Sequence, residues 1–288
     1  MKEFNTTGVC IPEKHYMVDI SEKLAKIEKM VAKGNYFTIN KPRQYGKTTL
    51  LYLLDKRLFE KNYLSLVISF AGIGDEVFKS EAAFNKSFLK MIKKELKLKN
   101  EYNNMTLDYD QNELSNFTDL DDIIFNVIDS SNKDIVLMID EVDKSSNNQL
   151  FLSFLALLRE KFLRSNLNRD KTFHSVILAG VHDVKNLKLK LRPDEERKYN
   201  SPWNIAVEFD IDMDFNVKEI KTMLKDYKED RDVAMNINEI AKRIHYYTSG
   251  QPFLVSKLAE IVDNKIMPEK VNNEWEIKDI DEAVKIIL

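Results

Sequence analysis

The run at 36–50 constrains this chain more than any other. Tyr36, Phe37, Thr38 and Ile39 read as a short buried strand, residues 40–46 as a tight loop, and Lys47, Thr48, Thr49 and Leu50 as the first turn of a helix. A loop that joins a buried strand to a helix N-terminus turns its N–H groups into one concavity, where the helix dipole favours an anion. Lys47 adds a mobile positive charge, and Thr48 offers a hydroxyl that can hold a magnesium ion. The run is therefore expected to cradle phosphate. It departs from the full pattern G-x-x-x-x-G-K-[ST] at the first position, where Lys41 stands in place of glycine, so the reading needs support from elsewhere in the chain.

Residues 134–141 supply that support. Ile135, Val136, Leu137, Met138 and Ile139 are bounded by Asp134 on one side and by Asp140 and Glu141 on the other. An unbroken apolar run of this length fits a strand covered on both faces, and the two carboxylates fall at its C-terminal end, where parallel sheets place ligands. Asp140 can hold magnesium directly or through water, and Glu141 can orient or deprotonate a water that attacks a γ-phosphate. The alternative is structural, since acidic residues also end strands and begin turns.

The rest of the chain sets the frame. At 288 residues it can bury a large core and divide into a larger and a smaller domain. Its one cysteine, Cys10, excludes an internal disulfide framework and a cysteine-rich zinc site, and fits a reducing compartment. The N-terminus lacks the apolar stretch of a signal peptide, and no apolar run approaches the roughly 20 residues that span a bilayer. A cytoplasmic protein without membrane partners is expected. With 44 Lys+Arg against 47 Asp+Glu, the formal charge of −3 gives no global pull toward nucleic acid or anionic lipid.

Periodicity predicts a helix over 19–33, a helix from the cradle through Leu58, a strand over 64–70, and helices over 84–97 and 117–130. Beyond the acidic strand it predicts a helix over 150–163 and strands over 172–180 and 205–209. Strands alternating with helices imply a parallel sheet, here of five strands. After Met213 the pattern becomes helical throughout, at 216–227, 236–248, 251–264 and 277–287, without a convincing strand. The expected division is an α/β core over 1–213 and a small helical lid over 214–288.

Four segments share a resemblance: residues 4–8, residues 16–19, the loop 40–48, and Gly180-Val181-His182-Asp183-Val184. Together they resemble the bacterial AAA-like ATPase family, close to the STAND and Orc/Cdc6-like P-loop ATPases, over nearly the whole chain. The resemblance implies a P-loop NTPase core, with ATP or ADP and Mg²⁺ as ligands. The family's Arg-Gln-x-Gly-Lys-[Ser/Thr] form of the cradle falls on Arg43, Gln44, Tyr45, Gly46, Lys47 and Thr48, with Thr49 next. By the same resemblance Lys47, Thr48, Asp140 and Glu141 take the Walker roles, with Thr48 and Asp140 on the metal. Gly250-Gln251-Pro252 is similar to the GxP element by which a STAND lid reaches nucleotide, so Gln251 and Pro252 join the candidate ligands. That segment equally fits a helix start capped by Ser249. His182 and Asp183 stand just beyond the strand where such folds place a polar sensor, and either a nucleotide contact or plain satisfaction of backbone groups accounts for them. Arg43, Arg192 and Arg197 can each supply a guanidinium to phosphate.

Tyr16 is the candidate to stack on adenine, with anchoring of the N-terminal segment as its alternative. ATP is expected rather than GTP because the chain has no N-K-x-D-like segment. The expected activity is Mg-dependent ATP binding and hydrolysis used as a conformational switch. The alternatives are a signalling module that binds nucleotide with negligible turnover, and a DNA-associated ATPase suggested by the basic residues at 185–192. A protein partner or self-association is expected, and the apolar helix at 283–288 is consistent with a native chain that continues further.

Overall fold

Four of the predicted apolar runs pair into one parallel sheet. The structure is a computed structural model that describes residues 1–101, 105, 114–145, 148–181 and 202–288, with the backbone alone at 144 and 145. Strands β1 (Tyr36–Asn40), β2 (Leu64–Ser69), β3 (Ile135–Asp140) and β4 (Ser175–Gly180) lie in the order β1-β4-β3-β2. All six residues of both central strands, β3 and β4, are buried. This is why they read as continuous apolar runs rather than alternating ones. Helix α2 (Lys47–Glu60) links β1 to β2, α3 (Glu81–Leu98) and α4 (Phe117–Asp129) precede β3, and α5 (Gln149–Ser165) precedes β4.

Local chemistry sets the helix ends. The Ser80 side chain accepts from the Ala83 N–H at the start of α3, and Asn116 and Asp119 form a reciprocal capping box at α4. The two backbone N–H bonds from Asn116 and Ser115 hold the Asp119 carboxyl below the usual range. In the main core Phe84 meets Phe88 and Phe154 with ring centroids 6.2 and 5.0 Å apart, and Phe70 meets Phe151 at 5.9 Å. Each such ring, fully buried, contributes about 1.5–3 kcal/mol by area alone.

Among the described residues the sheet has four strands, where the sequence predicts five. In the 205–209 segment only Val207 pairs, through a bridge to Phe37 in which the Val207 N–H donates to the Tyr36 carbonyl at 2.8 Å. The preceding residues are held in a turn: the Ala206 N–H donates to the Trp203 carbonyl, and buried Trp203 stacks on Tyr36. Val207 is itself 42% exposed. The segment thus pairs its backbone with β1 at one residue, too briefly for a strand.

The chain divides into two compact units. One comprises Ile27–Pro42 and Leu53–Asp210 and carries the sheet; the other comprises Met1–Lys26, Arg43–Tyr52 and Ile211–Leu288 and is mostly helical. Helices α1 (Ser21–Ala32) and α2 contribute residues to both. In the helical unit, α6 (Val217–Arg231), α7 (Ile237–Thr248), α8 (Pro252–Ile261) and α9 (Ile277–Ile287) match the predicted helices. This unit also holds a parallel pair, β5 (Ala234–Met235) and β6 (Glu274–Trp275), which the sequence does not reveal because two residues carry no period. Its core gathers Phe4, Tyr16, Tyr227 and Trp275 with the apolar faces of α6 to α9. Among the described residues no helix is long and apolar enough to cross a membrane.

Candidate functional site

The loop expected to cradle phosphate bends at two left-handed residues. Gln44 and Gly46 adopt left-handed backbone with φ of 63° and 71°, and the Leu50 N–H donates to the Gly46 carbonyl to close the first turn of α2. A Cβ at Gly46 would meet nothing within 4 Å, so this glycine is required by its φ and not by space. Paired left-handed bends form anion-binding concavities, and the first N–H groups of α2 have no carbonyl within the helix to accept them. Arg43, Gln44, Gly46 and Thr48 are exposed and Tyr45 is half-buried, whereas Lys47 is buried at the helix start. Position 41 is not left-handed, so Lys41 occupies the place of the leading glycine without backbone strain.

Two contacts inside the helical unit tie the cradle down. The Cys10 N–H donates to the Thr49 hydroxyl at 3.1 Å, which commits this candidate ligand to the N-terminal segment. Tyr45 hydrogen-bonds Asp214; burial, and then the facing Asp214 and Asp212 carboxylates, push its phenol above the usual range.

The acidic pair sits at the exit of β3. Asp140 is buried and its Oδ1 accepts from the Glu141 N–H at 2.9 Å. Glu141 has φ +58°, a left-handed conformation that an ordinary side chain adopts rarely and that clusters at functional sites. Among the described residues no group hydrogen-bonds its carboxylate. Pairing registers Ile39 with Ala179 and Ile139 with Leu178, which sets Asp140 level with Ile39, one strand removed, at about 10 Å. The residue that leads into the cradle loop and the acidic pair therefore share one edge of the sheet.

The remaining candidates fare differently. Tyr16 is 2% exposed, with its ring 4.9 Å from Phe4 and 5.2 Å from Tyr227. Its hydroxyl donates to Asp230 at 2.5 Å and accepts from the Arg231 guanidinium at 3.1 Å. These surroundings put Tyr16 in the core of the helical unit. Burial and then Asp230 push the Tyr16 phenol up to about 12, against the opposing pull of Arg231. The unfolded phenol ionises near pH ~10, so the stability held in this network is intact below that pH and is lost as pH rises through about 12. Urea unfolding of Tyr16→Phe should show a shallower loss of stability between those pH values than wild type; equal slopes would remove Tyr16 from the alkaline transition.

The Gln251 side chain accepts from the Leu254 N–H at 2.6 Å, which makes Gln251 the N-cap of α8, with Pro252 buried at its first position. Ser249, expected as that cap, instead ends α7 in left-handed backbone. His182, Asp183, Arg192, Arg197 and the 185–192 basic segment lie outside the described residues.

A polar cleft of about 750 Å³ opens at the opposite edge of the sheet, beside Gly34, Asn62, Asp134 and His174. Lys33 and Lys61 directly follow the ends of α1 and α2, where cations offset the negative helix terminus. Lys61, Lys133 and Lys171 are paired with Glu28, Glu101 and Asp129. Three of its four lysines are thus already paired, and the cradle edge remains the candidate site. Sequence reasoning overlooked one contributor at that edge, Asp143, whose Oδ1 accepts from the Val181 N–H at 2.6 Å. Its only sequence signal is a third carboxylate closely following Asp140 and Glu141.

The AAA-like domain family matches residues 11–277. No curated protein sequence is significantly similar. Among solved structures, Cdc6p from Pyrobaculum aerophilum is similar with a TM-score of 0.57 at 14% identity, over 98% of this chain and 70% of that one. The Walker-type ATPase PABY2304 of Pyrococcus abyssi gives 0.56 at 15% identity, over 99% and 75%. The Thermotoga maritima RuvB Holliday junction branch migration motor gives 0.51 at 16% identity, over 93% and 70%. At these identities the likeness is one of fold. The left-handed cradle, the parallel sheet and a family match across nearly the whole length lead to one assignment: the chain belongs to the AAA-like domain family.

Proposed function

We propose that this protein binds ATP at the 43–49 loop, hydrolyses it, and uses the change as a conformational switch. The observation that carries this reading is the sheet edge at which the lead-in to the cradle and Asp140 with left-handed Glu141 both emerge. Loop N–H groups and Lys47 neutralise the phosphates, and Lys47 stabilises charge that develops on the transferred group. Glu141 orients a water in line with the γ-phosphorus and accepts its proton as the new P–O bond forms and the bond to the β,γ-bridging oxygen breaks. The Thr48 hydroxyl and the Asp140 carboxylate are hard oxygen donors that suit Mg²⁺, which when bound offsets the charge on the β- and γ-phosphates.

Phosphate release by purified protein tests the assignment. Glu141→Gln keeps the side-chain size and removes the base, so Mg-dependent turnover should fall by about 100-fold or more while ATP still binds. Turnover equal to wild type would overturn the role of Glu141.

The switch reading is supported by contacts within the helical unit, where Tyr45 and Thr49 of the cradle meet Asp214 and Cys10. A ligand that alters the cradle then has differential contacts through which to act on residues 214–288, as any such shift requires. This is where a STAND-like lid enters the proposal. Hydrogen exchange in the apo, ADP-bound and ATP-analogue-bound protein should differ across 214–288; identical protection in all three states would contradict the switch.

A further inference from the structure

One peptide unit joins the turn that leaves β3 to the residue that follows β1. The Gly180 carbonyl accepts from the Lys41 N–H at 3.1 Å, and the N–H of the same peptide, that of Val181, donates to Asp143 Oδ1 at 2.6 Å. Lys41 opens the cradle loop, and Asp143 lies two residues beyond Glu141 in the turn that leaves β3. The approach is so close that a Cβ at Gly180 would stand 2.8 Å from Asp143 Oδ1 and 2.9 Å from Val142 Cγ2. A side chain at position 180 would have to displace the Asp143 carboxylate and the Val142 methyl, whereas its backbone angles are ordinary. Donation to a carboxylate polarises the peptide and strengthens the bond at its other end.

We propose that Asp143 is a positioning residue which, through the Gly180–Val181 peptide, locks the Glu141 turn to the exit of β4 and to Lys41 at the start of the cradle. Glu141 occupies a left-handed conformation that its own side chain does not favour, and a carboxylate two residues on, bonded across to a neighbouring strand, holds the turn in that shape. The catalytic consequence rests on the ATPase reading above, whereas the link itself does not. With the link broken, Glu141 loses its setting at the sheet edge where β1 and β4 end, while the groups of the 43–49 loop are untouched. The effect therefore falls on turnover and not on affinity.

The test uses the full chain with Asp143→Ala, Asp143→Asn and Gly180→Ala, and two readouts. In amide NMR, Asp143→Ala and Gly180→Ala should speed exchange at Val181 by about tenfold or more and also perturb the Lys41 amide, while Asp143→Asn, which keeps an oxygen acceptor, retains protection with an upfield shift of the Val181 proton. In steady-state hydrolysis Asp143→Ala and Gly180→Ala should lose about tenfold or more in kcat, a typical consequence of a small misplacement. Their ATP Kd should stay within about threefold, and Asp143→Asn should recover most of the rate. Unchanged Val181 exchange in Asp143→Ala would overturn the link, and a lost bond with unchanged kcat would overturn its catalytic role. If wild type binds ATP without turning it over, the hydrolysis reading fails on its own while Val181 exchange still decides the link. If the alanine variants do not fold, Asp143→Asn decides it alone, and an unmoved Val181 resonance would overturn it.

Discussion

Lys47→Ala should weaken ATP binding by about 100-fold or more, with little effect on folding. Lys47 is the first residue of α2 and is buried at the loop. Alanine is the best helix former and leaves the helix start intact. What disappears is the ammonium at the start of α2. A 100-fold loss corresponds to about 2.7 kcal/mol, within the span measured for hydrogen bonds to charged groups. Titration calorimetry of wild type and variant measures the loss directly. Affinities within about threefold would assign phosphate binding to another part of the protein.

Gly250→Ala should destabilise the helical unit by about 3 kcal/mol or more. Gly250 has φ +83°, and a Cβ there would stand 2.1 Å from the Phe215 carbonyl oxygen and 2.8 Å from its nitrogen. Those atoms are backbone, and the Phe215 N–H donates to the Gly250 carbonyl at 2.8 Å, so relief requires the approach of two chain segments to open. Left-handed strain adds to the clash, and each contribution alone lies in the range of 1–3 kcal/mol, roughly. Urea unfolding followed by tryptophan fluorescence would report it through Trp275 in this unit's core. A loss below about 1 kcal/mol would mean that the 215–250 contact is not formed as described.

Gly250-Gln251-Pro252 also shows how far sequence alone carries. The dipeptide Gln251-Pro252 signals a helix start, and the structure has one. The reason for glycine at 250 is an approach by Phe215, thirty-five positions away in sequence, which no local pattern encodes. Gly180 repeats the lesson: its strand is legible as an apolar run, whereas its lack of a side chain answers to Asp143 on a different strand exit. The parallel sheet was legible because β3 and β4 are buried on both faces and so carry no polar alternation. The fifth strand was over-read because Ile205, Val207 and Phe209 alternate as a strand would, while Trp203 holds the preceding residues in a turn. Tyr16 illustrates the limit for the site, since an aromatic residue before the first helix suits either a base or a core, and only the positions of Phe4, Tyr227 and Asp230 distinguish them.

The most direct test of the central claim, that the 43–49 loop and the end of β3 serve one triphosphate, is a crystal structure with Mg²⁺ and a non-hydrolysable ATP analogue. The account predicts the β- and γ-phosphates against the loop N–H groups and Lys47, with the metal at about 2.1 Å from the Thr48 hydroxyl and bound to Asp140 directly or through one water. Glu141 should then lie within one water of the γ-phosphorus. An analogue bound away from the 43–49 loop, or seated there with Asp140 and Glu141 out of reach of its phosphates, would contradict the account.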